Sequence, residues 1–302
     1  MRLPFSAAQP NDDEETGFVL TALAVNPKAL AKRALRATRR RWIRTFHAFD
    51  AAQLEQALRR VGVSRGDTVL THSSFDAFEG YTGKPTEVIL ALQRILTEEG
   101  TLLLPTMPFT GTALAYAERN PVFDPARTPS RMGLLTELFR RTPGVVRSLH
   151  PTHPVAAWGR EAKAVVEGHE LARTPCGKPS PYFRLLERDG KILLLGTDIS
   201  SLTFFHTLEE ILEPELPVQP FTKATFALST RLADGKVVTT NTRLFEPAIS
   251  RRRNIFKMVP YLRAAGSWRD ARVGIVSMVL LRAADVVTAA RSMLANGQFC
   301  YD

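Results

Sequence analysis

The sequence predicts an α/β protein whose sheet is covered by helices on both faces. Short apolar segments alternate with amphipathic helical segments over most of the 302 residues. The predicted strands are apolar throughout, as is typical of strands that are buried on both sides. Residues 221–245 differ, because two longer stretches flank Asp234-Gly235, a dipeptide typical of a hairpin turn. The sheet is therefore mixed, or an antiparallel hairpin is added to it.

Capping residues locate the helices. Asn26 and Pro27 begin a basic helix, because Asn caps helices and Pro is tolerated in the first turn. Asp50 caps the next helix, Pro85 opens another, and Ser130 caps a later one. After the basic helix, the predicted helices cover residues 51–63, 84–99, 130–141, about 160–168 and about 203–213. The predicted strands cover residues 68–75, 101–107, 155–159 and 191–196, followed by the hairpin.

The composition is that of a globular protein, with 44% hydrophobic and 23% charged residues. These values exclude a disordered chain, a collagen-like repeat and a coiled coil. Two cysteines are too few for a disulfide scaffold or a four-cysteine zinc site. The sequence has no apolar run of 18 residues, and the acidic cluster at 12–15 does not fit a signal peptide. We therefore expect a cytoplasmic protein.

The positive charge is concentrated near the N-terminus. The formal net charge is +10, and residues 28–44 hold eight basic residues and no acidic one, so 10 − 8 leaves +2 for the rest. A nearly neutral body argues against a general nucleic-acid binder, which usually spreads its positive charge over a folded face. We expect a disordered tail at 1–16, a basic amphipathic extension at 17–49, and an enzyme domain at 50–302.

Three interpretations of the basic helix remain open, and binding to RNA or DNA is the third of them. The first is a surface helix docked by an apolar stripe that includes Leu30, and the second is a helix lying on an anionic membrane. In the second interpretation, residues 28–44 make a peripheral contact on the inner face of the membrane, with Trp42, Ile43 and Phe46 inserted as wedges.

Five of the six histidines lie at strand ends or in loops of the predicted sheet, where ligand sites of α/β proteins gather. They are His72, His150, His153, His169 and His206. His206 and Glu209 have the i, i+3 spacing that places both on one helix face. Imidazole with a carboxylate is typical of general-base catalysis, and two His with one Glu also form a catalytic zinc set. Hydrogen-bonded core histidines are the structural alternative.

Other catalytic motifs are absent from the sequence. It contains neither G-x-x-x-x-G-K-[ST], a phosphate-binding loop, nor G-x-S-x-G, a nucleophile elbow. Cys176 lies in a Pro/Gly-rich loop, and we interpret it as a bystander rather than a nucleophile.

Several segments, in unbroken order, resemble the aminoglycoside 3-N-acetyltransferase family. They are HSSF (72–75), GTLLLPT (100–106), FDPARTPSRMGLLTELFRR (123–141), RSLHPTHPVAAWG (147–159), GH (168–169) and GKILLLGTDISSLTFFHTLEE (190–210). The resemblance runs from about residue 54 to the end. It implies a three-layer α/β/α sandwich with a mixed central sheet and an added hairpin.

The resemblance also implies an activity, the transfer of acetyl from acetyl-CoA to an amine of an amino sugar, without a metal. When the family's functional residues are carried over by position, the resemblance implies that His169 is the general base and that Glu209 orients it. His206 and His153 are also implied in the catalytic group. The residues implied on the coenzyme side are His72, Ser73, Ser74, Phe75, Ser130, Arg131, Met132 and Gly133. Arg127 is expected to help with the coenzyme phosphates.

The substrate is the least determined part. Residues 187–215 hold seven acids against two bases, a local charge of −5 that permits a polycationic aminoglycoside. The sequence departs from the family in HELARTPCG (169–177), in the segment after LLLG, and in the extension, so an amino sugar of a glycan precursor near the membrane is the alternative. A third hypothesis is an inactive relative that serves as a membrane- or nucleic-acid-recruited binding module.

Overall fold

The computed structural model describes residues 27–302, which divide into two units: the first contains the described residues 27–39, and the second is residues 40–302. The described part of the first unit, residues 27–39, is helical. The tail predicted at 1–16 and the start of the extension, 17–26, lie outside the described residues. All strands of the described chain belong to the second unit.

Helices and strands alternate along the described chain. The helices are α1 (Pro27–Phe46), α2 (Ala51–Val61), α3 (Pro85–Leu96), α4 (Ala113–Ala117), α5 (Leu134–Phe139), α6 (Ala162–Val166), α7 (Pro181–Glu187), α8 (Phe205–Ile211), α9 (Pro247–Ser250), α10 (Val259–Ala264) and α11 (Ala283–Ala295). The strands are β1 (Thr68–Ser73), β2 (Thr101–Pro105), β3 (Val122–Phe123), β4 (Val146–Arg147), β5 (Val155–Gly159), β6 (Lys191–Leu195), β7 (Phe221–Arg231), β8 (Val237–Phe245), β9 (Arg269–Val273) and β10 (Val276–Arg282). Short 3₁₀ turns connect several of them.

Seven strands form one mixed sheet in the order β4-β5-β2-β1-β6-β10-β9. The central strand β1 pairs in parallel with β2 and β6, whereas β5 and β10 add antiparallel strands on either side. The predicted mixed sheet is confirmed. Because β1, β2 and β6 run in the same direction, the loops that follow them meet at one edge of the sheet.

Neighbouring residues of β1 face opposite layers, as the pleat of a strand requires. Val69 packs in one apolar core with Leu54 of α2 and Leu92 of α3. Leu70 packs in a second core on the other face, with Val286 of α11. Both faces of the sheet are thus buried under helices, which confirms the predicted three-layer sandwich.

The predicted hairpin is also confirmed. Strands β7 and β8 pair around Asp234-Gly235, and the positive φ of Gly235 (83°) suits the turn. They form a second, three-stranded sheet with β3, in the order β3-β7-β8.

One predicted helix boundary is wrong. The helix expected to begin at Ser130 begins at Leu134, because Gly133 has a φ of 110°, a conformation that helices exclude. The Ser130 hydroxyl lies 2.7 Å from that of Thr136 and accepts from the backbone N–H of Met132 at 3.2 Å. It therefore fixes the segment before the helix rather than capping it.

Helix α1 exposes most of the side chains described for it. Leu30, predicted on a docked stripe, is 57% exposed, and Trp42 and Phe46 are 51% and 69% exposed. Ile43 is 1% exposed, so its predicted role as a membrane wedge is wrong. Among the helices of residues 27–302, none combines the length and apolar character needed to cross a membrane.

Candidate functional site

A cavity of about 290 Å³ lies where β1 and β2 end. It is lined by the end of β1 (Thr71, His72, Ser73), by the segment that follows β2, by Met132, and by residues 200–203. Three polar atoms at the end of β1 are buried and have no hydrogen-bond partner within residues 27–302: Oγ1 of Thr71, Nε2 of His72 and Oγ of Ser73. Buried polar groups are normally paired, so this trio indicates a place for a polar ligand.

His72 is neutral at this site, since burial lowers the pKa of its imidazole to about 4. It is 7% exposed. A neutral imidazole offers one N–H donor and one acceptor to a ligand, without a charge that would have to be compensated.

The segment before α5 borders the same cavity. Met132 lines it, and a Cβ atom on Gly133 would lie 3.9 Å from the backbone oxygen of Ser73. Arg131 is anchored by its backbone N–H, which donates to the carbonyl of Met107 at 2.8 Å, while its side chain is exposed. The structure therefore brings the end of β1 and this segment together, as the resemblance implied.

The other residues expected on the coenzyme side do not line this cavity. The Ser74 backbone donates to the carbonyl of Leu195, and Ser130 is turned toward Thr136. Phe75 stacks on Phe78 with ring centroids 5.2 Å apart. Its ring lines a different cavity of about 680 Å³, beside the end of α1.

A second cavity, of about 320 Å³, contains His206. It shares Ser200, Ser201 and Thr203 with the first cavity, so the two meet along residues 200–203. Its other polar lining residues include Ser250 and Arg253 on the far side.

The carboxylate of Glu209 is the centre of a hydrogen-bond network behind this cavity. Its Oε2 lies 2.8 Å from Nδ1 of His206 and accepts from Nη2 of Arg253 at 3.0 Å. Its Oε1 accepts from Nε of Arg253 at 2.7 Å and from the hydroxyl of Tyr301 at 2.6 Å. Glu209 is fully buried, and these four contacts satisfy its oxygens.

This network keeps Glu209 ionised and His206 neutral. Burial alone would raise the pKa of Glu209, but the hydrogen bonds from His206 and Arg253, together with the charge of Arg253, outweigh it and lower that pKa. Burial and the charge of Arg253 lower the pKa of His206 below 6.5, against the opposing effect of Glu209. Because Nδ1 is turned to the carboxylate, Nε2 is the unprotonated nitrogen, and no hydrogen-bond partner for it is found in the described chain.

The predicted contact between His169 and Glu209 is wrong. His169 is fully buried, with Nδ1 2.9 Å from Oγ of Ser148 and Nε2 2.9 Å from the carbonyl of Pro175. Burial lowers its pKa to about 3. With both ring nitrogens engaged, His169 fixes the loop that contains it, and Glu209 is paired with His206 instead.

His153 lies between these histidines. Its Nδ1 is 2.9 Å from the hydroxyl of Thr152, which is itself 3.2 Å from Nδ1 of His150. The His153 ring lies 6.3 Å from that of His206, and the His150 ring lies 4.8 Å from that of His169. Burial lowers the pKa of both His150 and His153, so they are uncharged packing partners of the site.

Sequence reasoning missed Arg253 and Tyr301. They lie 44 and 92 residues from Glu209 in the chain, and neither belongs to a motif that could have identified it. No group of three potential metal ligands is found within residues 27–302.

Comparison with known proteins identifies relatives in both sequence and fold. An aminoglycoside N(3')-acetyltransferase-like protein of Bacillus subtilis, YokD, is 33% identical over 172 residues, which span 52% of this chain and 63% of that protein. The crystal structure of aminoglycoside acetyltransferase AAC(3)-Xa is 28% identical and superposes with a TM-score of 0.70 over 84% of this chain and 95% of that one. AAC-IIIb, solved as a binary complex with CoASH, shares the fold at 23% identity and a TM-score of 0.69, covering 84% of this chain and 99% of that one.

The sequence model of the aminoglycoside 3-N-acetyltransferase family matches residues 70–295, which include both cavities and the Glu209 network apart from Tyr301. The chain belongs to this family.

Proposed function

We propose that the chain is an acetyl-CoA-dependent N-acetyltransferase that transfers the acetyl group directly to an amine of an amino sugar or aminoglycoside. One observation carries the proposal: His206, paired with the buried carboxylate of Glu209, lines a cavity that meets a second cavity containing three unpartnered polar atoms. One cavity holds the donor and the other the acceptor. Membership of the family, and the CoASH bound to its AAC-IIIb relative, support this assignment.

The first cavity receives the acetyl thioester and the adjoining pantetheine arm. Thr71, His72 and Ser73 supply polar atoms for its amide groups, and Met132 supplies an apolar wall. Arg131 is exposed on the segment that borders this cavity, where a cation suits the phosphates of CoA.

The second cavity receives the acceptor amine, and His206 is its general base. Nε2 of His206 removes a proton as the amine nitrogen bonds to the thioester carbon. The C–S bond then breaks, the amide is released, and the proton passes to the CoA thiolate. Glu209 stabilises the imidazolium formed in between, so the step needs neither a metal nor an acyl-enzyme.

His169 and His153 have positioning roles in this scheme. His169 ties its loop to Ser148, and His153 packs beside the His206 ring. Cys176 takes no part, because burial raises the pKa of its thiol well above 9.

The test is release of the CoA thiol from acetyl-CoA by purified protein, with a panel of amino sugars and aminoglycosides. Amine-dependent release with equimolar amide supports the proposal, as does a thermal shift with CoA alone. If no amine releases CoA while CoA still binds, the inactive binding module is correct. If the protein needs zinc and hydrolyses amides, the histidines and Glu209 form a catalytic zinc set instead, and the proposal is wrong.

Residues 40–46, the end of α1 that lies in the second unit, favour a second role. Trp42 and Phe46 are exposed with ring centroids 6.1 Å apart, and they share this helix end with Arg40, Arg41 and Arg44. Exposed aromatic rings among cations are typical of helices that bind anionic lipid surfaces. We propose that this end makes a peripheral contact with an anionic membrane from the cytoplasmic side.

A further inference from the structure

The two cavities share three residues that have a hydroxyl group, Ser200, Ser201 and Thr203. In the proposed reaction the thioester occupies the first cavity and the amine occupies the second. The carbon that exchanges sulfur for nitrogen must therefore lie at this junction. The unpartnered polar atoms at the end of β1 line only the first cavity, so a donor that contacts the reacting atoms is to be sought among the shared residues.

Two of the three shared hydroxyl groups are already engaged. The Ser200 hydroxyl donates to a carboxylate oxygen of Asp198, and the Ser201 hydroxyl lies 2.6 Å from that of Thr197. The Thr203 hydroxyl has no hydrogen-bond partner in the described chain, although this residue is only 8% exposed. Because polar groups at such depth are normally paired, the free hydroxyl of Thr203 indicates a contact that a ligand completes.

Other polar side chains of the second cavity contribute nothing to the first and are engaged by neighbours. Each of the three guanidinium nitrogens of Arg253 donates to an adjacent side chain, and the Asn254 amide donates to the carboxylate of Asp302 at 3.0 Å. Nε2 of His206 is unprotonated and can only accept a hydrogen bond. Thr203 is therefore the donor that the junction offers to a bound thioester.

Thr203 is also held beside the proposed base. Its backbone carbonyl accepts from the backbone N–H of His206 at 3.0 Å, in the turn that begins α8. Both side chains line the second cavity. One bound substrate pair can therefore have its amine at Nε2 of His206 and its carbonyl oxygen at the Thr203 hydroxyl.

We infer that the Thr203 hydroxyl donates to the carbonyl oxygen of the acetyl thioester and stabilises the oxyanion that forms during transfer. This inference rests on the proposed acetyl transfer and adds a catalytic residue to it. As the amine nitrogen bonds to the carbonyl carbon, the π electron pair moves to the oxygen, and the amine proton passes to Nε2 of His206. The Thr203 hydroxyl keeps its proton, and its hydrogen bond strengthens as the oxygen becomes negative. The C=O bond then forms again, the C–S bond breaks, and the proton on His206 passes to the CoA thiolate.

The test compares Thr203→Val with Thr203→Ser, using acetyl-CoA and one amine that the wild-type protein acetylates. Valine keeps the shape of threonine without the hydroxyl, whereas serine keeps the hydroxyl. In Thr203→Val, kcat should fall by roughly 10²–10³, with the KM for acetyl-CoA within about threefold of wild type, because the lost hydrogen bond is strong only in the transition state. Thr203→Ser should keep kcat within about tenfold of wild type.

Two further measurements exclude a merely structural role. The Tm of Thr203→Val should not fall, because the hydroxyl that it removes has no partner in the free protein. The shape of the pH profile of kcat should be unchanged, since His206 remains the base. Thr288→Val is the matched control, because Thr288 is exposed on α11 and its hydroxyl donates to the carbonyl of Ala284 at 3.0 Å.

Wild-type kcat in Thr203→Val would overturn the inference and leave the proposed activity intact. A higher KM for the amine with unchanged kcat would do the same, because Thr203 would then be a contact of the acceptor. An equal loss of kcat in Thr203→Ser would also overturn it, since the shape of the side chain rather than its hydroxyl would matter. Absence of amine-dependent CoA release by the wild-type protein would overturn the proposed activity, and this inference with it.

Discussion

Replacing His206 and His169 separately distinguishes a catalytic histidine from a structural one. In His206→Asn, Glu209 keeps three of its four contacts, and the Asn amide can donate in place of Nδ1. The stability loss should therefore stay below about 2 kcal/mol. The loss of the base at Nε2 should lower kcat by roughly 10²–10⁴.

The His169→Asn variant should show the reverse pattern. Its ring is fully buried and holds Ser148 and Pro175 at 2.9 Å each, and the shorter side chain cannot reach both. An unsatisfied polar group and a small cavity together cost about 3–5 kcal/mol. The folded fraction should keep kcat within about tenfold of wild type, since no reacting atom is removed.

Both variants are measured by amine-dependent CoA release and by urea unfolding, with kcat corrected for the folded fraction. His47→Asn serves as the control, because His47 lines neither cavity. The reasoning is refuted if His206→Asn turns over like wild type. It is equally refuted if His169→Asn remains stable and loses kcat a hundredfold or more.

Three further results are expected. Tyr301→Phe removes one 2.6 Å hydrogen bond to Glu209 and should lower the free energy of unfolding in urea by about 1–2 kcal/mol. Its kcat should fall by less than about tenfold. Unchanged stability would show that Tyr301 does not belong to the network. Burial raises the pKa of Glu210 from 4.5 to about 7, so the folded state binds this proton more tightly than the unfolded state does. The contribution to stability is therefore full below pH 4.5, and the free energy of unfolding should fall by roughly 1–3 kcal/mol as the pH rises to 7. The Glu210→Gln variant should not show this loss. Trp42→Ser/Phe46→Ser should lower co-sedimentation with phosphatidylserine vesicles at least about threefold and leave kcat unchanged; equal sedimentation of wild type with neutral vesicles would contradict the lipid contact.

Local sequence patterns were sufficient for the strands β1, β2, β5 and β6, for the hairpin and for the His206–Glu209 pair, but they did not reveal β4, β9 and β10 of the main sheet. The strand ends and the Asp234-Gly235 turn depend on residues close in the chain, and so does the i, i+3 pairing of His206 with Glu209. In each case the backbone geometry of one element fixes the relation between the residues.

The rest depended on contacts between distant segments. The partner of His169 is Ser148 rather than Glu209, because the loop after α6 folds back toward the strand pair β4-β5. The acids of 187–215 look like one acidic region in sequence, yet a helix and its flanking turns point them in different directions, toward bases such as Arg282 and Arg291. Charges that are close together in the sequence therefore need not act on one site.

Arg253 has two separate effects on the chemistry proposed here. It stabilises the buried carboxylate of Glu209, which would otherwise take up a proton and could no longer stabilise an imidazolium. Its charge also lowers the pKa of His206, which weakens the imidazole as a base but keeps Nε2 unprotonated at neutral pH. Since a general base acts only in its unprotonated form, both effects favour function near pH 7. A neutral residue at position 253 would no longer stabilise the Glu209 carboxylate, and the higher pKa of His206 would be only a small gain.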